Sequence, residues 1–452
     1  MLIVTQLAKY LFIILLLLFS LRDYTYFRYR TEEKRRKAEG RQLFDIYVFD
    51  ILGFGIIFMN TWDMKVALLL AGIFIYMAFT SVFYKVLYPK ASILLVNNML
   101  MLLSVGFVMI ARINLTQAIK QFIIAAAGTA LALLVPVIVR KVKILQRLTW
   151  LYAVIGLLAL GAVFALATIS GGAKLSIEVG GITIQFSEIV KITLVFFLAS
   201  KLARDTSRGS VVVATVVAFM HVGLLVLSRD LGTAAVFYIA YLAVLLAATR
   251  KAHYTAIGIL GGGAAAAAAY FLFSHVRLRV QAWRDPFSLY DGAGYQIVHG
   301  LFAIGAGGWF GTGLCQGSPG TIPVAVKDEI FAAICEEFGT VFGICLILVC
   351  MSMFILIVNM SMQIRRRFYK LISLGLGVEY AFQVFLTIGG VTIFIPLTGI
   401  TLPLVSYGGS SVVSTIFMLA IIQGLYILRE DEEDELTRAV ASQVPSDRGQ
   451  EH

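Results

Sequence analysis

Charge is what this chain has least of. Only 14% of its 452 residues are Asp, Glu, Lys or Arg, while 60% are hydrophobic. Soluble domains carry about 25% charged residues, so a water-exposed surface is excluded for most of the chain. Proline is sparse as well, at eight residues, which leaves long segments free of helix interruption. The four cysteines are Cys315, Cys335, Cys345 and Cys350, and none form a CxxC. Three of them lie in one apolar stretch and read as packing residues rather than a disulfide or metal framework. Five scattered histidines without HExxH exclude a zincin. The absence of GK[ST] excludes a P-loop, so no nucleotide cofactor is expected. The absence of SxxK excludes a penicillin-binding serine nucleophile of that class.

What fills the chain instead is apolar sequence, with a mean hydropathy of +0.89. A membrane span takes about 20 apolar residues. Thirteen stretches qualify, near 2–20, 44–60, 66–83, 91–111, 119–139, 148–169, 187–202, 210–228, 231–249, 254–273, 330–358, 371–395 and 407–428. The runs are continuous and do not alternate, which excludes a transmembrane barrel. The expected fold class is all-α, a polytopic helical membrane protein.

The net charge of +11 follows from topology. With the N-terminus outside, every second loop is basic. These loops hold Arg22 to Arg41, Lys85 and Lys90, Arg140 to Arg147, Lys201 to Arg208, Arg250 and Lys251, and Arg365 to Lys370. They contain more than half of the 37 basic residues, the bias that marks cytoplasmic loops. The basic balance therefore points to anionic lipid and not to nucleic acid. No basic region precedes the first apolar run and no small-x-small site follows it, so that run reads as a retained span. The tail opens with six consecutive acids, Glu430 to Glu435, and is expected to be cytoplasmic and mobile. The small-residue run at 261–269 suggests close helix packing. Residues 274–329 form the long extracytoplasmic connection, and long loops are disproportionately functional. Its stretches SHVRLRVQAW and YQIVHGLFAIGAG are amphipathic and suit the membrane face.

Ionisable residues in or beside spans are the candidate functional groups. Glu188 and Lys191 are spaced to share a helix face, either as a structural ion pair or as the polar wall of a substrate groove. Arg229 and Asp230 sit at the outer end of a span, as an interfacial cap or as ligand contacts. Asp328 closes the long loop where a carboxylate can act as general base, metal ligand or helix cap. On a continuous helix Glu336 would lie about 80° around from it, and Glu337 nearly opposite. The segment PLTGITLPLVSYGGSS (396–411) places two prolines, three glycines and a run of hydroxyls between apolar spans. Irregular backbone at membrane depth is tolerated only inside protein or along a cavity.

Six segments, in order, resemble the SEDS family (shape, elongation, division and sporulation; FtsW/RodA/SpoVE). They are GITIQFSEIVK (181–191), SRDLGTA (228–234), WRDPF with GYQ (283–287, 294–296), AIGAGGWFGTGL (303–314), IPVAVKDEIFAAICEEFG (322–339) and PLTGITLPLVSYGGSS. The chain departs from the family pattern at Lys174-Leu175-Ser176, at Phe186, at Ser228-Arg229-Asp230 and at Lys327-Asp328-Glu329. The resemblance implies a ten-span core over residues 91–428, with residues 1–90 as three additional spans and 429–452 as an acidic cytoplasmic tail. It also implies a peptidoglycan glycosyltransferase in the bacterial cytoplasmic membrane. Such an enzyme polymerises lipid-linked disaccharide-peptide (lipid II) on the outer face and releases undecaprenyl pyrophosphate. A flippase of the same lipid and a non-catalytic scaffold are the competing readings. By resemblance Asp328 is the catalytic base. Lys191, Arg229 and Lys174 are pyrophosphate partners, and Glu188, Asp230, Glu336, Ser406, Tyr407 and Ser410 are further substrate-site residues. Mg or Mn suits acidic groups beside pyrophosphate. A class B penicillin-binding protein is the implied partner, because the chain carries no transpeptidase signature.

The charge pattern makes a direct prediction. A single cysteine placed at Ser318 will be labelled by an impermeant maleimide in intact cells, and one placed at Lys37 will not. The reverse pattern would overturn the thirteen-span topology.

Overall fold

The computed structural model describes residues 2–29, 31–166, 177–179 and 182–443. The helices, in chain order, are α1 (Leu2–Tyr26), α2 (Glu32–Thr61), α3 (Met64–Leu87), α4 (Ile93–Ile113), α5 (Leu115–Ala132), α6 (Val135–Lys141) and α7 (Thr149–Leu166). A two-stranded antiparallel ribbon of β1 (Ile177–Val179) and β2 (Ile182–Ile184) follows, pairing Ile177 with Ile184. Then come α8 (Ser187–Arg204), α9 (Arg208–Leu227), α10 (Leu231–Thr249), α11 (Ala252–Leu272), α12 (Ser274–Arg284) and α13 (Tyr295–Gly307). The chain ends with α14 (Ile330–Phe338), α15 (Thr340–Gln363), α16 (Arg367–Val391) and α17 (Gly409–Gln443).

Local chemistry sets the ends of these helices. Asp63, Ser92, Asn114, Ser207 and Asp230 each accept a hydrogen bond from a first-turn amide, satisfying donors a helix start leaves free. Pro136, with no amide hydrogen to give, lies at the join where α5 gives way to α6. Gly339, at φ +91°, separates α14 from α15. The stretch expected as one span over 330–358 is therefore two helices, because only glycine holds that backbone cheaply.

Among the described residues, twelve segments are long and apolar enough to cross a membrane. The thirteenth expected span, 187–202, is α8. Its Glu188, Lys191, Lys201 and Arg204 keep it less apolar than the others, yet most of it is buried. It packs against α7, α10 and α16. α4 is the central post. Every residue from Leu94 to Ala111 is buried, with α2, α5 and α15 around it. The helices α1 and α2 join the same hydrophobic core as the rest of the chain.

Two expectations are corrected. The small-residue run on α11 meets α10 at Gly262, against Tyr238, but α11 has no buried residue, and Gly261 and Gly263 have nothing nearby. Small residues permit close approach only where a neighbour arrives. The acidic tail is also ordered through its first turns. α17 runs on to Gln443, and its acids pair with three basic loops. Lys90 meets Asp431 at 2.9 Å, Arg140 meets Asp431 at 2.6 Å and Arg366 meets Glu432 at 2.6 Å.

α4 meets the 396–411 segment closely at Gly106, where an added Cβ would stand 2.5 Å from the carbonyl oxygen of Val405. Gly106→Ala should therefore cost about 1–3 kcal/mol through overpacking. Gly263→Ala, on open α11, should not destabilise. Thermal unfolding of the two purified variants in one detergent will separate them, and equal melting temperatures would show that the approach is not tight.

Candidate active site

The long connection folds as α12 and α13 and leads into α14, and these helices build an acidic site. Asp328 and Glu329 precede α14, so they do not follow helical geometry from that helix. Their side chains converge. Gln296, at the start of α13, donates from Nε2 to Asp328 Oδ2 and to Glu329 Oε1, each at 3.2 Å. Glu329 is 1% exposed, and its Oε2 lies 2.8 Å from where a Cβ on Gly300 would stand. Glycine at 300 makes room for the carboxyl. Burial and the neighbouring Asp328 charge push Glu329 up to about 8, so it holds a proton at neutral pH. Burial also raises Asp328, while its backbone and Gln296 hydrogen bonds, Lys327 and Arg279 pull it down.

Asp328 opens on a cavity of about 290 Å³ whose polar wall is Arg229, His275, Arg279 and Gln296, with Gly399 opposite. Arg229 reaches it from a left-handed turn, φ +64°. Arg279 on α12 donates to the Thr398 carbonyl at 3.3 Å. Burial first, then the two arginines, lower the pKa of His275. Its Nε2 has no partner among the described residues. An anion entering this cavity would meet two guanidinium groups, with one carboxylate beside them.

The 396–411 segment forms the floor. Gly399 adopts φ +77°, and a Cβ there would stand 3.8 Å from Asp328 Oδ2. Ser406 is buried, donates to the Lys327 carbonyl at 2.6 Å and accepts from Leu402 N at 2.8 Å. The Tyr407 amide donates to the Val326 carbonyl at 2.6 Å. Ser406 and Tyr407 thus fix the backbone just before Asp328. Ser410 accepts from Gln185 N at 3.1 Å, tying the strand ribbon to the start of α17.

A second polar cluster lies inside the bundle. Lys191 donates to Glu188 at 2.6 Å and to Gln383 Oε1 at 3.0 Å. Gln383 in turn donates to the Thr401 carbonyl at 3.2 Å. Glu379, one helical turn before Gln383 on α16, is 1% exposed, and neither carboxyl oxygen has a partner among the described residues. The positive charge of Lys191 acts on it without a hydrogen bond. Asp230 caps α10 by accepting from Thr233 N at 3.1 Å. Burial raises its pKa, Glu188 adds to the rise, and Thr233 and Arg279 oppose it. Asp230 thus feels charges from both the inner cluster and the cavity.

The structure brings Asp328 and Arg229 together around one cavity and places Glu188 and Lys191 in the inner cluster. Glu336 serves elsewhere. It accepts from Ser318 N at 2.8 Å, while Glu337 accepts from Arg112 at 3.0 Å, so both acids anchor the loop. Lys174 lies outside the described residues. Sequence reasoning did not single out Arg279, Gln296, Gln383 or Glu379. Arg279 and Gln296 stood inside segments already recognised as unusual, and Glu379 was legible as a lone acid within an apolar run. No group of three or more His, Cys, Asp or Glu able to hold a metal occurs among the described residues.

A many-helix membrane bundle with a carboxylate and two arginines around one cavity defines a class, the polytopic helical membrane proteins. The family described as "Cell cycle protein", FtsW/RodA/SpoVE, matches residues 85–429, and the chain belongs to it. It is 36% identical over 364 residues to the peptidoglycan glycosyltransferase RodA of Mycobacterium tuberculosis, covering 74% of this chain and 77% of that one. It is 33% identical over 279 residues to the probable peptidoglycan glycosyltransferase FtsW of Aliivibrio salmonicida, covering 57% and 67%. The fold is shared with the rod-shape-determining protein RodA of Thermus thermophilus, at TM-score 0.57 and 22% identity over 74% of this chain and 96% of that one. It is also shared with a chain from a peptidoglycan synthase complex, at TM-score 0.64 and 24% identity over 75% and 98%.

One lysine bonded to one buried acid, with a second buried acid in its field, predicts unequal mutants. Lys191→Met strands Glu188 and removes the one positive charge that acts on Glu379, whereas Glu188→Gln leaves Lys191 bonded to Gln383. Lys191→Met should therefore cost more, on the order of 2–4 kcal/mol. Adding Glu188→Gln to it should recover part of the loss. Melting temperatures of the purified variants test this, and equal, negligible losses would refute the cluster.

Proposed function

We propose that this chain is a peptidoglycan glycosyltransferase that polymerises lipid II on the outer face of the bacterial cytoplasmic membrane. The observation that carries the reading is the outer cavity, where the Asp328 carboxylate faces Arg229 and Arg279. The family and the named glycosyltransferase relatives support the same chemistry. The charge pattern of the loops supports an N-terminus outside and a C-terminus in the cytoplasm.

The chemistry needs a base, an anion clamp and room for two lipid tails. Asp328 accepts the proton from the acceptor sugar hydroxyl. The hydroxyl oxygen attacks the donor anomeric carbon, and the bond from that carbon to the phosphate oxygen breaks. Undecaprenyl pyrophosphate leaves with the electron pair and a new β-1,4 bond is formed. Arg229 and Arg279 meet the charge that develops on the leaving oxygen. His275 gains its own proton more easily once a pyrophosphate offsets those arginines. Lys191 is turned to Glu188 and Gln383 and acts by holding the bundle. Lys174 remains a further anion partner.

A Mg or Mn ion would be held by Asp328 and pyrophosphate oxygens, since such ions bind through one or two carboxylates plus phosphate and water. It would add positive charge at the leaving group. Cross-linking of the product falls to a class B penicillin-binding protein as partner.

Purified protein given labelled lipid II should yield a glycan ladder. Translocation without polymer would instead indicate a flippase, and neither activity would indicate a scaffold. Removing a general base costs about 10²–10⁴ in rate, so Asp328→Asn should lose the ladder while staying folded. Glu329→Gln copies the protonated acid and should keep activity at pH 7. It should differ from wild type only above about pH 8, where Glu329 ionises. Lys327→Ala removes a charge that favours the Asp328 carboxylate, so the acid limb of its pH–rate profile should move to higher pH. Near-normal polymerisation by Asp328→Asn would overturn the base assignment.

A further inference from the structure

The matched family region begins at residue 85, yet α1 reaches across the molecule to the outer loop. Gln6 donates from Nε2 to the Thr312 carbonyl at 2.8 Å, and Lys9 donates from Nζ to the Gly311 carbonyl at 3.1 Å. Phe12 meets Phe338 of α14 edge-on, with ring centroids 5.0 Å apart. We propose that α1 is a positioning element for the active site, with Gln6 and Lys9 clamping the glycine-rich turn that holds α14.

The turn needs an external clamp. Gly308, Gly311 and Gly313 all have positive φ, as does Cys315, so this backbone gains nothing from regular helix or strand pairing along itself. It is instead laced to the end of α14. Thr312 N donates to the Glu336 carbonyl and Gly313 N to the Glu337 carbonyl, each at 2.9 Å. Thr340 N closes the other side on the Gly308 carbonyl at 2.9 Å. α14 follows directly on Asp328 and Glu329, so a shift of the turn is passed to the carboxylate along one short helix. Without Gln6 and Lys9, the carbonyls of residues 311 and 312 lose the side-chain donors that α1 brings.

α1 is itself held at its other end. Asp23 is buried and accepts from Gln42 at 2.7 Å and from Ser352 of α15 at 2.6 Å. Asn97 of α4 joins the group by donating to Gln42 at 3.2 Å. A buried carboxyl group with several donors fixes the height of α1 along the bundle, because sliding it would leave that polar group without partners. The clamp at residues 6–9 is therefore set in register by an anchor near residue 23.

The activity part of this proposal rests on the glycosyltransferase reading, but the structural part does not. The test compares wild type, Gln6→Ala, Lys9→Ala, the double variant and Lys9→Arg, all as full-length protein in nanodiscs. Hydrogen exchange in the double variant should quicken at least about tenfold over 308–317 and 330–338, with α15 to α17 unchanged. Its kcat for polymerisation should fall about ten- to a hundredfold, as small misplacements of reacting groups do, with KM little changed. Lys9→Arg should restore most of kcat. Unchanged exchange over 308–317 would overturn the proposal whatever the activity. Faster exchange with unaltered kcat would overturn its catalytic part. A wild-type protein that makes no polymer would instead count against the glycosyltransferase reading, leaving exchange to decide the clamp. If the double variant fails to fold, the two single variants decide by the same readouts.

Discussion

Backbone that leaves a helix inside a bilayer finds no water to bond, so protein must supply its partners. The 396–411 segment meets this demand through a closed set of bonds. Leu402 N goes to Ser406, Ser406 Oγ to the Lys327 carbonyl, Tyr407 N to the Val326 carbonyl, and Gly408 N to Gln121. Gln121 also donates back to the Ser406 carbonyl. Asp328 holds its place because the residues just before it are partners in that set. Gly106 on α4 lets the segment lie close enough for the bonds to form.

Two charge clusters flank this segment and do different work. The inner one, Glu188, Lys191, Gln383 and Glu379, is buried among helices and short of cations. The outer one mixes Asp328 and Glu329 with Arg229 and Arg279 around a cavity. Burial divides the roles of the two outer acids. Glu329, deeper and next to the Asp328 charge, is pushed up to about 8, while Lys327, Arg279 and the hydrogen bonds of Asp328 oppose the rise that burial gives it. The 398–401 backbone joins the clusters, accepting from Arg279 on one side and Gln383 on the other.

The N-terminal helices and the acidic end of α17 treat the core in similar ways. Each brings polar groups to places where the core would otherwise present unpaired ones. Asp23 and Gln42 answer Ser352 and Asn97 within the bundle. Asp431 and Glu432 answer Lys90, Arg140 and Arg366 at the basic loops. The six acids, read alone, suggest a solvated tail; with a cationic surface beside them they become a helix.

Composition and unbroken apolar runs determined the all-helical membrane class, because only helices and closed barrels satisfy every backbone group in a bilayer and a barrel needs alternation. Six ordered motifs supplied the family and pointed to Asp328. The spans were legible wherever apolar residues ran unbroken. They were misjudged at Gly339, where one left-handed residue ends a helix without changing hydropathy. Only the tertiary structure decided the neighbours of each charged group. It joined Glu329 to Asp328 through Gln296, brought Arg279 into the cavity and turned Lys191 inward. Those contacts link residues far apart in the chain, and helical periodicity relates positions only within one helix.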